Sequence, residues 1–170
     1  MPTEHTILQD AGNLLNQEIK KIWAEQGHTL TGAWEDSLST TSYAPNEIEG
    51  WAKSYGAIVN AGVTASRIPF GETGAGGTSQ YIQGLFRFWK LRKPGLTDKE
   101  ALSLAFATAK KQKQEGMSTV ASGVFSQWGD RQHFIEIALI QKDEELADFV
   151  CGGLAQVVNE DIGEPNLIEY

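Results

Sequence analysis

The sequence has little of the residue types that build metal, disulfide or thiol chemistry. Among 170 residues there is one cysteine, Cys151, and there are three histidines, His5, His28 and His133. One cysteine excludes an internal disulfide framework, and three scattered histidines do not supply the clustered ligands of a zinc site. We therefore predict no metal site and no cofactor, and we interpret Cys151 as a small thiol buried on a helix.

Long apolar runs are also missing. No stretch approaches the length needed to span a bilayer, and no charged segment followed by an apolar one opens the chain. These absences predict a protein without a membrane partner, made and used in a cytosol-like compartment. Because 41% of the residues are hydrophobic, the chain can fill the core of one domain. We place that domain at residues 1–163 and a flexible tail at 164–170.

Positive charge is scarce relative to negative charge. The formal net charge is -8, and the acidic residues concentrate in residues 142–164. This balance disfavours a protein that grips nucleic-acid phosphates. It is compatible with a conduit, because an acidic wall lets a polyanion pass without adhering.

The clearest local pattern predicts a helix from about Asp98 to Glu115. Thr97 and Glu100 have the spacing of a capping box, in which each side chain satisfies a backbone amide of the other residue. Gly116 supplies a residue suited to the helix C-cap. Apolar residues recur at helical spacing and predict one buried stripe: Ala101, Leu102, Ala105, Phe106 and Ala109.

The remaining patterns predict an α+β fold. Residues 4–26 form an amphipathic helix, residues 38–43 and 47–54 favour strands, and residues 80–91 form a helix that pairs with the central one. Helical spacing resumes after residue 130. We predict a helix-rich single domain with a long N-terminal helix, a small antiparallel sheet, a central helical hairpin and a C-terminal helix.

A glycine-rich stretch precedes the hairpin. Residues 71–78 fit the phosphate-binding pattern G-x-x-x-x-G-K-[ST], except that Gly77 stands where the lysine belongs. Backbone amides alone do not replace the charge of that lysine. We interpret the stretch as a mobile loop at an interaction surface, comprising Gly71, Glu72, Thr73, Gly74, Ala75, Gly76, Gly77, Thr78 and Ser79. A nucleotide-binding enzyme that uses this loop is the weaker alternative.

No catalytic constellation is visible. His28 and His133 each have acidic neighbours, but no serine lies in a G-x-S-x-G elbow. We predict a protein that is not an enzyme. Trp34 and Trp51 lie in polar surroundings and are candidate contacts with another subunit, where tryptophan is over-represented. Apolar spacing assigns the other three tryptophans to the core: Trp23, Trp89 and Trp128.

Two segments carry a resemblance to a known family. The first follows the N-terminal helix and reads Thr31-Gly32-Ala33-Trp34-Glu35-Asp36-Ser37-Leu38; the second reads Ser54-Tyr55-Gly56-Ala57-Ile58-Val59-Asn60-Ala61-Gly62. They resemble the T-G-x-L-x-x-S-I and Y-x-x-Y-V-E-x-G patterns of tail-completion and head-to-tail connector proteins of tailed bacteriophages. Trp34 replaces the leucine, Leu38 the isoleucine, and Asn60 the acid.

The resemblance implies a virion structural protein of the neck or the top of the tail, made in the bacterial host cytoplasm. It implies a homo-oligomeric ring of six or twelve copies, with portal or connector and tail proteins as partners. Genomic DNA would pass through the channel without sequence-specific binding. The alternative from another class is a cytosolic adaptor or regulator that binds a partner protein through an apolar groove.

Overall fold

The computed structural model describes residues 3–44, 46–70 and 79–162, and it confirms the prediction of a helix-rich α+β fold. The elements follow one another as α1 (Glu4–Glu25), β1 (Ser39–Ala44), β2 (Glu47–Trp51), α2 (Tyr55–Ala61), α3 (Gln80–Arg92), α4 (Asp98–Glu115) and α5 (Phe134–Ile162). Short 3-10 helices cover Glu35–Ser37, Ala65–Arg67 and Val120–Phe125.

Contacts group the described residues into two compact units. Unit 1 contains residues 1–23, 33–53 and 134–170, and unit 2 contains residues 24–32 and 54–133, apart from the positions outside the description. The single domain at 1–163 stays a prediction, and the predicted tail at 164–170 lies outside the described residues.

In unit 1, a two-stranded antiparallel sheet lies against α1. Thr40 pairs with Gly50 across the sheet, and its carbonyl and hydroxyl oxygens accept hydrogen bonds from the Gln9 side chain at 3.3 Å. Gly12 makes this approach possible, because a Cβ there would lie 2.4 Å from the Ile48 side chain. The glycine inside the predicted helix thus serves strand packing.

The C-terminal helix α5 completes unit 1. A Cβ at Gly153 would lie 2.9 Å from the Ile7 side chain, so α5 and α1 approach closely there. The buried carboxylate of Glu18 pairs with Lys21 at 2.8 Å and with Lys142 at 3.9 Å, so its charge is compensated.

Within the described ranges, no helix is both long and apolar enough to cross a membrane.

In unit 2, α3 and α4 form the predicted helical hairpin. Three alanines of α4 are fully buried and let the helices pack closely; they are Ala101, Ala105 and Ala109. Ile82 of α3 packs against this stripe. Phe106 was predicted on the same stripe but is exposed, because it lies at the edge of a face that small alanines already fill.

The ends of α4 confirm the local prediction. The Thr97 amide donates to Glu100 Oε2 at 2.9 Å, and the Glu100 amide donates to Thr97 Oγ1 at 3.3 Å. The hydrogen bonds from the Thr97 hydroxyl and amide lower the pKa of the Glu100 carboxyl. At the other end, Gly116 has φ +89°, a conformation that favours glycine.

The capping box generates a stability prediction. Thr97→Ala removes both cap hydrogen bonds of the hydroxyl, so we expect the free energy of unfolding to fall by about 1 kcal/mol in urea titrations. Lys99→Ala, at an exposed position in the same first turn, is the matched control and should change stability by less than about 0.5 kcal/mol. Equal losses in the two variants would contradict the cap assignment.

Candidate functional site

Trp34 belongs to the core of unit 1, so its prediction as a subunit contact is wrong. Its exposed fraction is 2%. The indole stacks on Trp23 with ring centroids 4.1 Å apart and meets the edge of Phe134 at 5.1 Å. Its Nε1 donates to the carbonyl of Lys53 at 3.2 Å. The chain itself therefore buries the apolar surface of the indole and supplies the hydrogen-bond acceptor for its N–H group.

Trp51 has a different environment. It is the last residue of β2, pairs with Ser39 at the open end of the hairpin, and is 52% exposed. A half-exposed indole on a two-stranded sheet has apolar surface to bury against a partner. Trp51 therefore remains a candidate contact.

The predicted interaction loop lies almost wholly outside the described residues. This holds for Gly71, Glu72, Thr73, Gly74, Ala75, Gly76, Gly77 and Thr78. Ser79 is described, and its hydroxyl caps α3 by accepting from the Ile82 amide at 3.3 Å. The hydroxyl of Ser79 thus caps the helix, and the contact role of all nine loop residues stays a prediction.

Two further predictions of burial are wrong. Trp128 was assigned to the core, yet its ring is exposed and its Nε1 donates to Glu25 Oε2 at 3.0 Å. Cys151 was interpreted as a buried thiol, yet it is exposed on α5. In both cases regularly spaced apolar residues were predicted to form a buried face, but the fold leaves that face exposed to solvent.

Unit 2 contains a cleft that the sequence did not indicate. It has a volume of about 450 Å³ and lies between α2, α3, α4 and the chain that follows α4. We call it the α3–α4 cleft; its large apolar lining residues include Ile58, Val59, Leu85, Phe88, Trp89, Met117 and Phe125. Trp89 Nε1 donates to Thr108 Oγ1 at 3.0 Å, which fixes the indole in the wall. A mostly apolar lining with few polar groups is typical of a ligand site.

One end of the cleft is positively charged. Arg131 donates from Nε to the carbonyl of Gln26 at 2.9 Å and from Nη2 to the carbonyl of Gly27 at 3.0 Å. Arg92 Nη1 reaches the same Gly27 carbonyl at 3.4 Å, and its guanidinium lies 5.3 Å from the Phe125 ring centroid. Across residues 3–44, 46–70 and 79–162, neither arginine forms an ion pair with a carboxylate.

His28 lies beside the two arginines and is neutral at pH 7. Burial, followed by the charge of Arg131, lowers the pKa of His28 to about 4, and Arg92 contributes in the same direction. Burial and the charge of Arg92 also lower the pKa of Arg131. Burial is the larger cause of both shifts, and the neighbouring positive charge acts in the same direction. The cleft can therefore bind a ligand that combines apolar groups with an anion.

A second surface feature lies in the part of the chain that follows α4. Residues 120–128, which we call the apolar segment, expose Val120 by 86% and Val124 by 81%, and Phe125 and Trp128 are about half exposed. Single exposed apolar residues are common, but four within nine residues suggest a contact surface. Of these four residues, only Trp128 was predicted in the core, and that prediction is wrong.

The basic cluster had no local signal that sequence analysis could find. His28, Arg92 and Arg131 lie far apart in the chain and match no motif. Among the described residues, no group of three or more His, Cys, Asp or Glu side chains could hold a metal ion. Comparisons with known protein families, with curated proteins and with solved structures give no match for this chain.

The burial of Trp34 and the exposure of Trp51 give opposite expectations for alanine variants. Trp34→Ala removes a stacked core indole and should lower the free energy of unfolding by about 3–5 kcal/mol. Trp51→Ala should change it by less than about 1 kcal/mol. Chemical denaturation followed by circular dichroism measures both, and a larger loss for Trp51→Ala would contradict this assignment of the two indoles.

His28 gives a pH-dependent stability. The unfolded chain binds the proton near pH 6.5 and the folded chain only near pH 4, so stability is complete above pH 6.5 and falls as pH drops to 4. The pKa difference corresponds to roughly 3 kcal/mol. In urea titrations at several pH values, His28→Gln should flatten this slope. His5→Gln, at an exposed position, is the control, and an unchanged slope in His28→Gln would overturn the assignment.

Proposed function

We propose that this chain is a non-enzymatic structural protein of a tailed-bacteriophage virion. It forms a ring of six or twelve copies in the neck or at the top of the tail, around the DNA channel. Portal or connector proteins and tail proteins bind the ring. The observation that carries the proposal is the exposure of the apolar segment, together with the resemblance of two sequence motifs to this family.

The apolar segment supports self-assembly through its energetics. A large apolar side chain contributes about 1.5–3 kcal/mol when it passes from water into a contact. Several such residues on one short segment can offset the loss of translational and rotational freedom on association. In a ring, each copy presents one surface to a different surface of its neighbour, so every copy uses the segment once.

The charge of α5 supports a channel through which DNA passes. Asp143, Glu144, Glu145 and Asp148 lie within two turns and are all exposed. Carboxylates repel the phosphate backbone, so a wall of this kind does not retain DNA. The proposal therefore assigns DNA the role of cargo and not of a bound ligand.

Two glycines of the resemblance motifs lie at turns. Gly32 has φ +73° and Gly62 has φ +70°, a conformation that other residues rarely adopt. At Gly62 a Cβ would also lie 2.5 Å from the Met117 carbonyl oxygen. A backbone requirement explains why a motif would contain glycine at these positions, which gives the sequence resemblance a structural reason.

The proposal predicts concentration-dependent assembly. Light scattering over a concentration series should show a species of six or twelve copies, and negative-stain images should show closed rings. Replacing Val120 and Val124 by serine removes exposed apolar contacts and should shift the assembly midpoint by about tenfold or more. A mass of one chain at every concentration would contradict self-assembly.

The matched control for this experiment is Leu91→Ser. Leu91 is also an exposed apolar residue in unit 2, but it lies on α3 outside the apolar segment. We expect it to leave the assembly midpoint within about twofold, because a surface position away from the contact contributes little. Equal shifts in both variants would indicate a general effect of surface hydrophobicity.

The α3–α4 cleft favours one second function, an adaptor that binds an apolar segment of a partner protein. An apolar cleft with a polar rim is a common way to hold such a segment. This function predicts a stable monomer or dimer with an unoccupied cleft. The light-scattering experiment therefore separates the two functions directly.

A further inference from the structure

We infer that the α3–α4 cleft binds residues 164–170 of a neighbouring copy of this chain. The inference deepens the proposed function, on which it rests for the presence of a neighbour. It assigns a ligand class to the cleft, a short extended peptide that carries both acidic and large apolar side chains. It also predicts that the copies in a ring are joined by the exchange of residues 164–170.

The cleft requires an anion at one end. Arg92 and Arg131 both donate to the carbonyl oxygen of Gly27, and Arg131 also donates to the carbonyl of Gln26 and contacts His28 Nδ1, so two full positive charges meet only partial negative charges. No carboxylate in the part of the chain described here pairs with either guanidinium. A carboxylate from another molecule would form charge-assisted hydrogen bonds with donors that still have capacity, since each guanidinium carries five N–H groups.

The rest of the cleft requires apolar groups. Its walls are formed largely by side chains such as Leu85, Phe88 and Trp89. The cleft volume of about 450 Å³ is within the range of sites that enclose a drug-sized ligand. A few large side chains of a peptide occupy a similar volume. A small inorganic anion would leave this apolar surface in contact with water, so a purely ionic ligand fits the cleft poorly.

The sequence after α5 contains this combination of groups. Residues 164–170 read Glu-Pro-Asn-Leu-Ile-Glu-Tyr, with two acids, three large apolar residues and no lysine or arginine. Their charge of -2 complements the two arginines. Pro165 restricts the residue before it to extended conformations, which reduces the entropy lost on binding.

The reach of the segment suits an exchange between copies. Seven extended residues span roughly 23 Å at about 3.3 Å per residue, which is enough to cross a subunit boundary and lie along a cleft. An exchanged segment forms a contact between two different surfaces, the kind of contact that generates a ring. Since each copy has one cleft and one segment, every cleft in a closed ring would hold the segment of a neighbouring copy.

Binding of a synthetic peptide tests the ligand class. The probe is a fluorescein-labelled peptide of residues 160–170, titrated with the full-length chain and followed by fluorescence anisotropy. The chain carries Leu167→Ser, Ile168→Ser and Tyr170→Ser, so that its own segment does not compete. We expect saturable binding, and its absence would overturn the inference.

Charge reversal tests the position of the peptide. Arg92→Glu in the cleft should weaken binding about tenfold or more, and a peptide in which only one acid, either Glu164 or Glu169, is replaced by arginine should recover part of that loss. Arg87→Glu is the matched control, because Arg87 is exposed on the same helix and does not line the cleft. Equal weakening by Arg87→Glu and Arg92→Glu, or no recovery, would contradict binding at the basic end.

Photo-crosslinking tests the exchange between copies. A chain with benzoylphenylalanine at position 170 is mixed with isotope-labelled chains, and crosslinked peptides are identified by mass spectrometry. Crosslinks from position 170 of the unlabelled copy to Phe88 or Met117 of the labelled copy would support the inference. Crosslinks confined to one copy, or located away from the cleft, would overturn it.

These results separate the inference from the proposed function. Rings of the wild-type chain, together with no peptide binding by the chain that carries the three serine substitutions, would keep the ring and overturn the exchange. Peptide binding by that substituted chain, together with a wild-type chain that remains monomeric at all concentrations, would support the ligand class of the cleft and contradict the ring. Failure of the inference is therefore detected by anisotropy, and failure of the proposed function is detected by the mass in solution.

Discussion

Unit 2 depends on the hydrogen bonds that the end of α1 makes with distant parts of the chain. The carbonyls of Gln26 and Gly27, directly after α1, accept hydrogen bonds from Arg131, and Arg92 adds a second donor at Gly27. The buried Gln26 side chain donates to the carbonyl of Gln132 at 2.8 Å. These contacts hold the segment around residue 131 against the end of α1, and they place both guanidinium groups at the cleft.

The chemistry of the cleft follows from this arrangement. A helix C-terminus attracts cations, since its carbonyl dipoles leave partial negative charge there. Two full positive charges exceed that partial negative charge, and the pKa of the adjacent His28 is lowered by burial first and by the charges of Arg131 and Arg92 in addition. The structural role of the arginines thus creates a demand for an anion, which relates the stability of unit 2 to binding at its surface.

Several elements were predictable because their signals are local. The capping box and Gly116 determine α4, and Gly27 and Gly62 end α1 and α2 with positive φ. Burial was less predictable. Alanines fill the centre of the α4 face, so Phe106 is left exposed, while Trp34 has polar neighbours in sequence but stacks on Trp23 in the core.

The sequence by itself determined the fold class, the ends of α4, the small hairpin and the acidic character of α5. Each of these depends on residues within a few positions of one another, where capping, turn chemistry and periodicity act. Only the tertiary structure decided which apolar residues are buried, and only it assembled His28, Arg92 and Arg131 at one end of a cleft. Such contacts join residues far apart in the chain, and no local spacing encodes them.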